Sequence, residues 1–202
     1  YFHDDYFFGN RRRADEILQG IDMPWYAELR ATDFTSDRVQ RLQAMKAIGF
    51  FFGAESGSAK VLRSLNKEIT SGDILNVARV CRAADVRHLR CSFIMFTPDE
   101  TLADIRATVL LIVRFKRAHP LAAIGIGNYT PYPGVDLTKR LEEKGWHAPE
   151  TLEGWAEYDR QLAPNRLGIF SDRHIRRVLR LKQVALTSVE FYKILARRGR
   201  LG

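Results

Sequence analysis

A chain of 202 residues with 46% hydrophobic and 28% charged content is long enough to bury a core, and its balance is that of an ordinary globular protein rather than a disordered or fibrous one. No stretch approaches the roughly 18 uninterrupted apolar residues that a membrane-spanning helix needs, because the apolar run at 110–115 is short and broken by Arg114. The net charge of +8 is uneven: residues 171–202 hold nine basic and two acidic side chains, which leaves only +1 on the other 170 residues.

The chain opens on Tyr1 rather than Met, in what reads as the end of a strand, and is therefore expected to be a fragment. Residues 25–31 read as a strand. Residues 36–48 follow as a helix, with Val39, Leu42, Met45 and Ala47 or Ile48 near 3.6 spacing and Gly49 as its stop. A second strand is expected over 50–54 and a short helix over 59–65. Thr70 or Ser71 caps a helix to about Ala84, with Ile74, Val77, Ala78 and Cys81 on one side. A third strand spans 88–96, Pro98 and Asp99 make a turn, and Thr101 starts a long helix to about Ala118. The fourth strand, 124–129, runs into Thr130-Pro131-Tyr132-Pro133-Gly134, and a helix over 137–144 closes at Gly145. From 147 to 168 the periodicity weakens, with Trp146, Trp155 and Tyr158 in polar surroundings, as in a lid or cap. A final helix from Asp172 to about Ala196 carries Val178, Leu181, Ala185, Val189, Tyr192 and Leu195 on one stripe, so it docks by that stripe and turns its arginines outward.

Strands alternating with helices at this pitch predict an α/β fold with a parallel sheet and outer helices, curled into a partial (β/α) TIM-like barrel, plus a basic C-terminal helix. Two parts are expected: 1–145 as barrel, and 146–202 as a cap segment and basic helix packed on it. Ligands of such folds bind where the parallel strands end. The polar groups do collect there: Asp4 and Asp5, Arg30, Glu55-Ser56-Gly57-Ser58, Thr97-Pro98-Asp99-Glu100-Thr101, and Thr130 to Gly134. Taken singly, each has a structural alternative as a helix cap, rim ion pair or stiffened turn. Cys81 and Cys91 are too few for a disulfide framework or a metal centre, which points to buried thiols and a reducing, cytoplasmic setting.

The succession Phe2-His3-Asp4-Asp5-Tyr6-Phe7, Trp25-Tyr26-Ala27-Glu28-Leu29-Arg30, Gly53-Ala54-Glu55-Ser56-Gly57-Ser58, Leu62-Arg63-Ser64-Leu65-Asn66-Lys67, Phe93-Ile94-Met95-Phe96-Thr97-Pro98-Asp99-Glu100-Thr101 and Tyr129-Thr130-Pro131-Tyr132-Pro133-Gly134 resembles the radical S-adenosylmethionine (SAM) superfamily. It is most similar to the subclass that often carries a cobalamin-binding domain ahead of the barrel, such as the anaerobic magnesium-protoporphyrin ester cyclases. The resemblance covers about 1–145. It implies a parent enzyme that reductively cleaves SAM at a [4Fe–4S] cluster to give a 5′-deoxyadenosyl radical, with cobalamin as a further cofactor of the parent.

It also implies roles for residues at the strand ends. Asp4 and Asp5 would face the methionyl amino group, and Arg30 the methionyl carboxylate. Glu55 and Ser56 would meet the ribose hydroxyls. Ile94, Met95 and Thr97 would pass the adenine, and Thr130 would join the last wall. Tyr6, Tyr129 and Tyr132 are substrate-pocket candidates, and no catalytic residue is assigned. Two features depart from the family. Phe96 and Asp99 stand where its fifth-strand turn, roughly Gly-Leu-Pro-Gly-Glu-Thr, has glycines, and no CxxxCxxC triad occurs in the chain. The cluster ligands are thus expected upstream of Tyr1, in a missing N-terminal part of the same polypeptide, and this chain alone is expected to be inactive. A reductant protein and an unidentified substrate are the other partners implied.

Two further readings stand beside this one. A non-radical barrel acting on a phosphate or sugar would need a glycine-rich phosphate loop, for which Gly125-Ile126-Gly127 is the candidate. A binding module would use the basic helix to hold RNA or a partner, with nucleic acid as the less favoured partner.

Overall fold

A computed structural model describes residues 1–4, 6–156 and 167–197. Four strands, β1 (Trp25–Glu28), β2 (Ala47–Glu55), β3 (His88–Met95) and β4 (Ala123–Asn128), form one parallel sheet in the order β1-β2-β3-β4. Helix α1 (Arg11–Gln19) precedes the sheet and α2 (Ser36–Ala44) joins β1 to β2. Helices α3 (Ala59–Ser64) and α4 (Ser71–Ala83) join β2 to β3, and α5 (Leu102–Ala118) joins β3 to β4. Strands added in chain order without reversal are the arrangement of a β/α barrel wall, not of a doubly wound sheet with a switch point. The short α6 (Asp136–Glu142) and α7 (Leu152–Ala156) follow, and α8 (Asp172–Arg197) returns to pack along α5.

One sheet face is sealed by helices. Phe50, Phe52 and Ala54 of β2 and Leu89, Cys91, Phe93 and Met95 of β3 are buried there with Val39, Ile74, Val77, Ile112 and Phe115. Helix α8 joins the same core through Ile175, Val178, Ala185 and Val189. Between Trp25↔Ala47 and Tyr26↔Gly49 the register skips Ile48, which bulges out exposed and rephases the strand. From that point Glu28, Phe51, Arg90 and Ala123 share one cross-strand row on the opposite, more open face. A second apolar cluster of Tyr129, Leu137, Leu141, Trp146 and Leu167 lies beyond β4, with Ile94 and Trp155 packed against it.

Side-chain caps start the helices where the sequence predicts them. Ser58 caps α3, and Thr70 with Asp73 and Thr101 with Asp104 form capping boxes on α4 and α5. Other boundaries move. Helix α2 ends at Ala44, not 48, and its reversal falls on Lys46 at φ 69. Gly49 is no helix stop but a strand residue, since a Cβ there would lie 2.3 Å from the His88 carbonyl and 2.6 Å from the Tyr26 ring. Strand β1 ends at Glu28, where a 3-10 turn over Ala31–Asp33 takes the chain away. The opening residues form no strand, although the Phe2 N–H donates to the Tyr26 carbonyl at 3.0 Å. Gly125-Ile126-Gly127 lies inside β4, paired to β3, and makes no loop for a phosphate. Of the expected lid, Tyr158 lies outside the described residues. No helix among the described residues is long and apolar enough to cross a membrane.

Candidate functional site

The turns leaving the C-terminal strand ends build the site. Past β1, Leu29 still donates to the Phe51 carbonyl (2.9 Å), which carries Arg30 to the rim. The Arg30 guanidinium lies 4.3 Å from the centre of the Tyr6 ring, and its backbone N–H donates to Asp33 Oδ2 at 3.3 Å. The Tyr6 hydroxyl donates to the same oxygen at 3.1 Å, and burial together with the Asp33 charge raises that hydroxyl's pKa. Asp33 is only 4% exposed and also pairs with Arg11 (3.4 Å) and Arg38 (3.7 Å). This buried carboxylate positions both Tyr6 and Arg30. Sequence reasoning missed Asp33; the one local signal is its place three residues past the turn's first cap.

Past β2 the backbone turns left-handed at Glu55 (φ 59), which lays the carboxylate across the open sheet face. Gly53 makes room for it, since a Cβ there would sit 2.2 Å from Glu55 Oε1. Lys67, from the α3–α4 connection, ion-pairs with Glu55 at 3.1 Å. Ser56 goes the other way. It is fully buried, its hydroxyl is bonded to Thr108 on α5 (3.0 Å) and accepts from the Ser58 N–H (3.1 Å), so it is a joint between turn and helix and not a ribose contact. Gly57 completes the joint, donating to Thr108 Oγ1 at 2.9 Å. Ser58 donates to Asp104 at 2.6 Å. Burial alone would raise the Asp104 carboxyl, but hydrogen bonds from Ser58, Thr101 and Lys60 hold it well below the usual range.

Tyr6, Glu28, Arg30, Gly53, Asn66 and Lys67 are among the residues lining a cleft of about 570 Å³ at this mouth. Of the residues expected from sequence, Arg30 and Tyr6 line it, and Glu55 joins it through Lys67. Glu28 and Lys67 were not anticipated as site residues, because only strand register and the α3–α4 connection bring them together. Asp4 is exposed, accepts from the Tyr6 N–H (3.2 Å), pairs with Arg13 (3.6 Å) and does not line the cleft. Asp5 lies outside the described residues.

Past β3 the expected contacts divide between faces. Ile94 is half-buried on the open side, whereas the Met95 side chain is sealed against the helices and cannot face a ligand at the mouth. Phe96 takes φ 68, a left-handed conformation that favours glycine. Thr97 is buried in this turn, and the Phe96 N–H donates to Glu100 Oε2 at 2.6 Å. Past β4, Tyr129 is buried in the second apolar cluster, Thr130 is half-buried, and Tyr132 is exposed with its backbone tied to Thr138. These three stand apart from the Arg30 cleft.

Cys81 on α4 and Cys91 in β3 are both buried, and burial pushes each thiol up, Cys81 to about 12. No cluster of three or more potential metal ligands occurs among the described residues, so they supply no donor set for a four-iron cluster. No family model matches the chain. Among curated proteins it is similar to an uncharacterised methyltransferase of Pyrococcus horikoshii, 28% identical over 141 residues that cover 67% of this chain and 30% of that protein. It is also similar to a tRNA-2-methylthio-N(6)-dimethylallyladenosine synthase of Petrotoga mobilis, 27% identical over 158 residues, covering 68% and 34% respectively. The chain thus spans about a third of the length of the curated relatives it matches, and both are named as enzymes.

Proposed function

We propose that this chain is the SAM-holding wall of a radical SAM enzyme, and that the intact parent cleaves SAM reductively to a 5′-deoxyadenosyl radical. The observation that carries the reading is the cleft itself. Its lining includes the cationic Arg30 and Lys67 and the acidic Glu28 at a barrel-type strand end. A zwitterionic amino-acid end suits such a lining: a planar fork for its carboxylate, and a carboxylate for its ammonium. Arg30, backed by Tyr6 and Asp33, would hold the methionyl carboxylate and Glu28 the ammonium. Glu55, steadied by Lys67, would meet the ribose. Ile94 would pass the adenine, with Thr130 and the tyrosines Tyr129 and Tyr132 further along the wall.

The cluster is a separate matter. A [4Fe–4S] centre would supply the electron, and on this reading its thiolates belong to an N-terminal part of the polypeptide outside this sequence. The described residues orient SAM and exclude water from it. Residues 1–145 act as the wall and 146–202 as its cap and packed helix. A cobalamin domain and a reductant protein belong to the parent in the same way. The names of the two relatives make methyl or methylthio transfer, in one case to tRNA, the reaction classes to try first.

The reading is tested on the full-length parent, reconstituted anaerobically with iron and sulfide and given a reductant. 5′-Deoxyadenosine should form, and Arg30→Ala should weaken SAM binding by about 1.5–3 kcal/mol, the loss expected for a charged hydrogen bond. Calorimetry with SAM reads that loss. Absence of 5′-deoxyadenosine from a protein loaded with cluster, or unchanged SAM affinity in Arg30→Ala, defeats the proposal.

A further inference from the structure

Helix α8 docks on α5 by Ile175, Val178, Ala185 and Val189, which leaves a second, outward face. In its first two and a half turns that face carries Arg173, Arg176, Arg177 and Arg180, all exposed. Spacing of three, four and seven residues puts the four guanidiniums on one stripe, about 10 Å from first to last along the helix. None of them forms an ion pair among the described residues, whereas Arg11, Arg38, Arg41, Lys60 and Lys67 are each paired to a carboxylate. All four are arginine, the side chain whose planar fork matches phosphate oxygens. Further along the same face stand Gln183 and Thr187, both exposed, and then Phe191, 56% exposed.

We infer that this face of α8 binds single-stranded RNA. The arginine stripe takes consecutive phosphates, Phe191 offers a ring on which an unstacked base lies, and Gln183 and Thr187 are placed between them to exchange hydrogen bonds with 2′-hydroxyls. An anionic membrane fits less well. An interfacial helix inserts a broad apolar face with its cations at the flanks. Here the stripe of Ile175, Val178, Ala185 and Val189 is already buried on α5, and the arginines fill the first part of the outward face, with the exposed Val184, Phe191 and Ile194 set singly beyond them. The inference is independent of the cofactor reading, because it concerns a helix away from the strand-end cleft.

The test is fluorescence anisotropy of the full chain with a short labelled oligouridylate over a salt series. Four phosphate contacts predict a slope of log K against log salt of about −3. Replacing Arg173, Arg176, Arg177 and Arg180 together by Gln should abolish the slope, whereas replacing all four by Lys should keep most of it at lower affinity. Phe191→Ala should weaken binding about tenfold without changing the slope. Circular dichroism and a melting curve identify any variant that has lost its fold. The inference is overturned if the Gln variant, still folded, binds like the parent chain. It is equally overturned if the matched deoxy-oligomer binds as tightly, or if phosphatidylserine vesicles bind and RNA does not. SAM binding by the same variants should be unchanged, which separates failure here from failure of the proposed cofactor site.

Discussion

Glu100 accepts the Phe96 N–H inside the β3–α5 turn, and burial pushes its carboxyl up to about 8. Between the ordinary carboxylate pKa of 4.5 and that value, the folded chain holds a proton that the unfolded chain has released. Stability contributed by this group is therefore complete below the ordinary range and falls as pH rises toward 8, by about 1.4 kcal/mol per pH unit. Glu100→Gln keeps an acceptor for Phe96 and removes the titration. Denaturant melts should show a flatter stability profile for the variant, and higher stability than the parent chain above pH 8. At the same scale, the raised thiols of Cys81 and Cys91 predict that neither reacts with a disulfide reagent until the chain unfolds. Rapid labelling of native protein would contradict their burial. That burial was legible from the apolar context of both cysteines. The exchange of Ser56 from cleft to core was not, because its partner Thr108 is 52 residues away.

Among the elements, the joint between the β2 turn and α5 brings two backbones into close contact. A Cβ on Gly57 would stand 2.4 Å from the Ala107 carbonyl and 2.8 Å from the Thr108 Cα, both backbone atoms of a long helix that cannot step aside. Gly57→Ala should cost about 1–3 kcal/mol as overpacking, measured as a lower denaturation midpoint. Thr101→Ala should cost about 1 kcal/mol by removing the cap on α5, and Thr101→Ser should restore most of it. The capping boxes at Thr70 and Thr101 were legible because a cap and its acid lie three residues apart. Gly49 misled for the converse reason: glycine marks helix ends locally, and the crowding by His88 and Tyr26 that demands it here is nonlocal.

Among the described residues, the sheet, helices α1–α5 and α8 share one continuous core, so they should unfold together. Phe115, fully buried on α5 against Phe52 of β2, lies in that core beside the residues through which α8 docks. Phe115→Ala should cost about 3–5 kcal/mol. Hydrogen exchange should then show the protection of α8 and of β2 falling by similar amounts. Loss confined to α8 would mean that the helix is a separate unit.

The strand–helix alternation, the helix caps, the collection of polar residues at strand ends and the docking stripe of α8 were determined by sequence alone, because each is set by periodicity or by neighbours a few residues apart. Only the tertiary structure decided which of those polar residues share a cleft. Strand register sets Glu28 opposite Phe51 at the cleft, the α3–α4 connection delivers Lys67 to Glu55, and Asp33 ties Tyr6 to Arg30. Those choices rest on contacts between residues far apart in the chain, for which local sequence carries no signal.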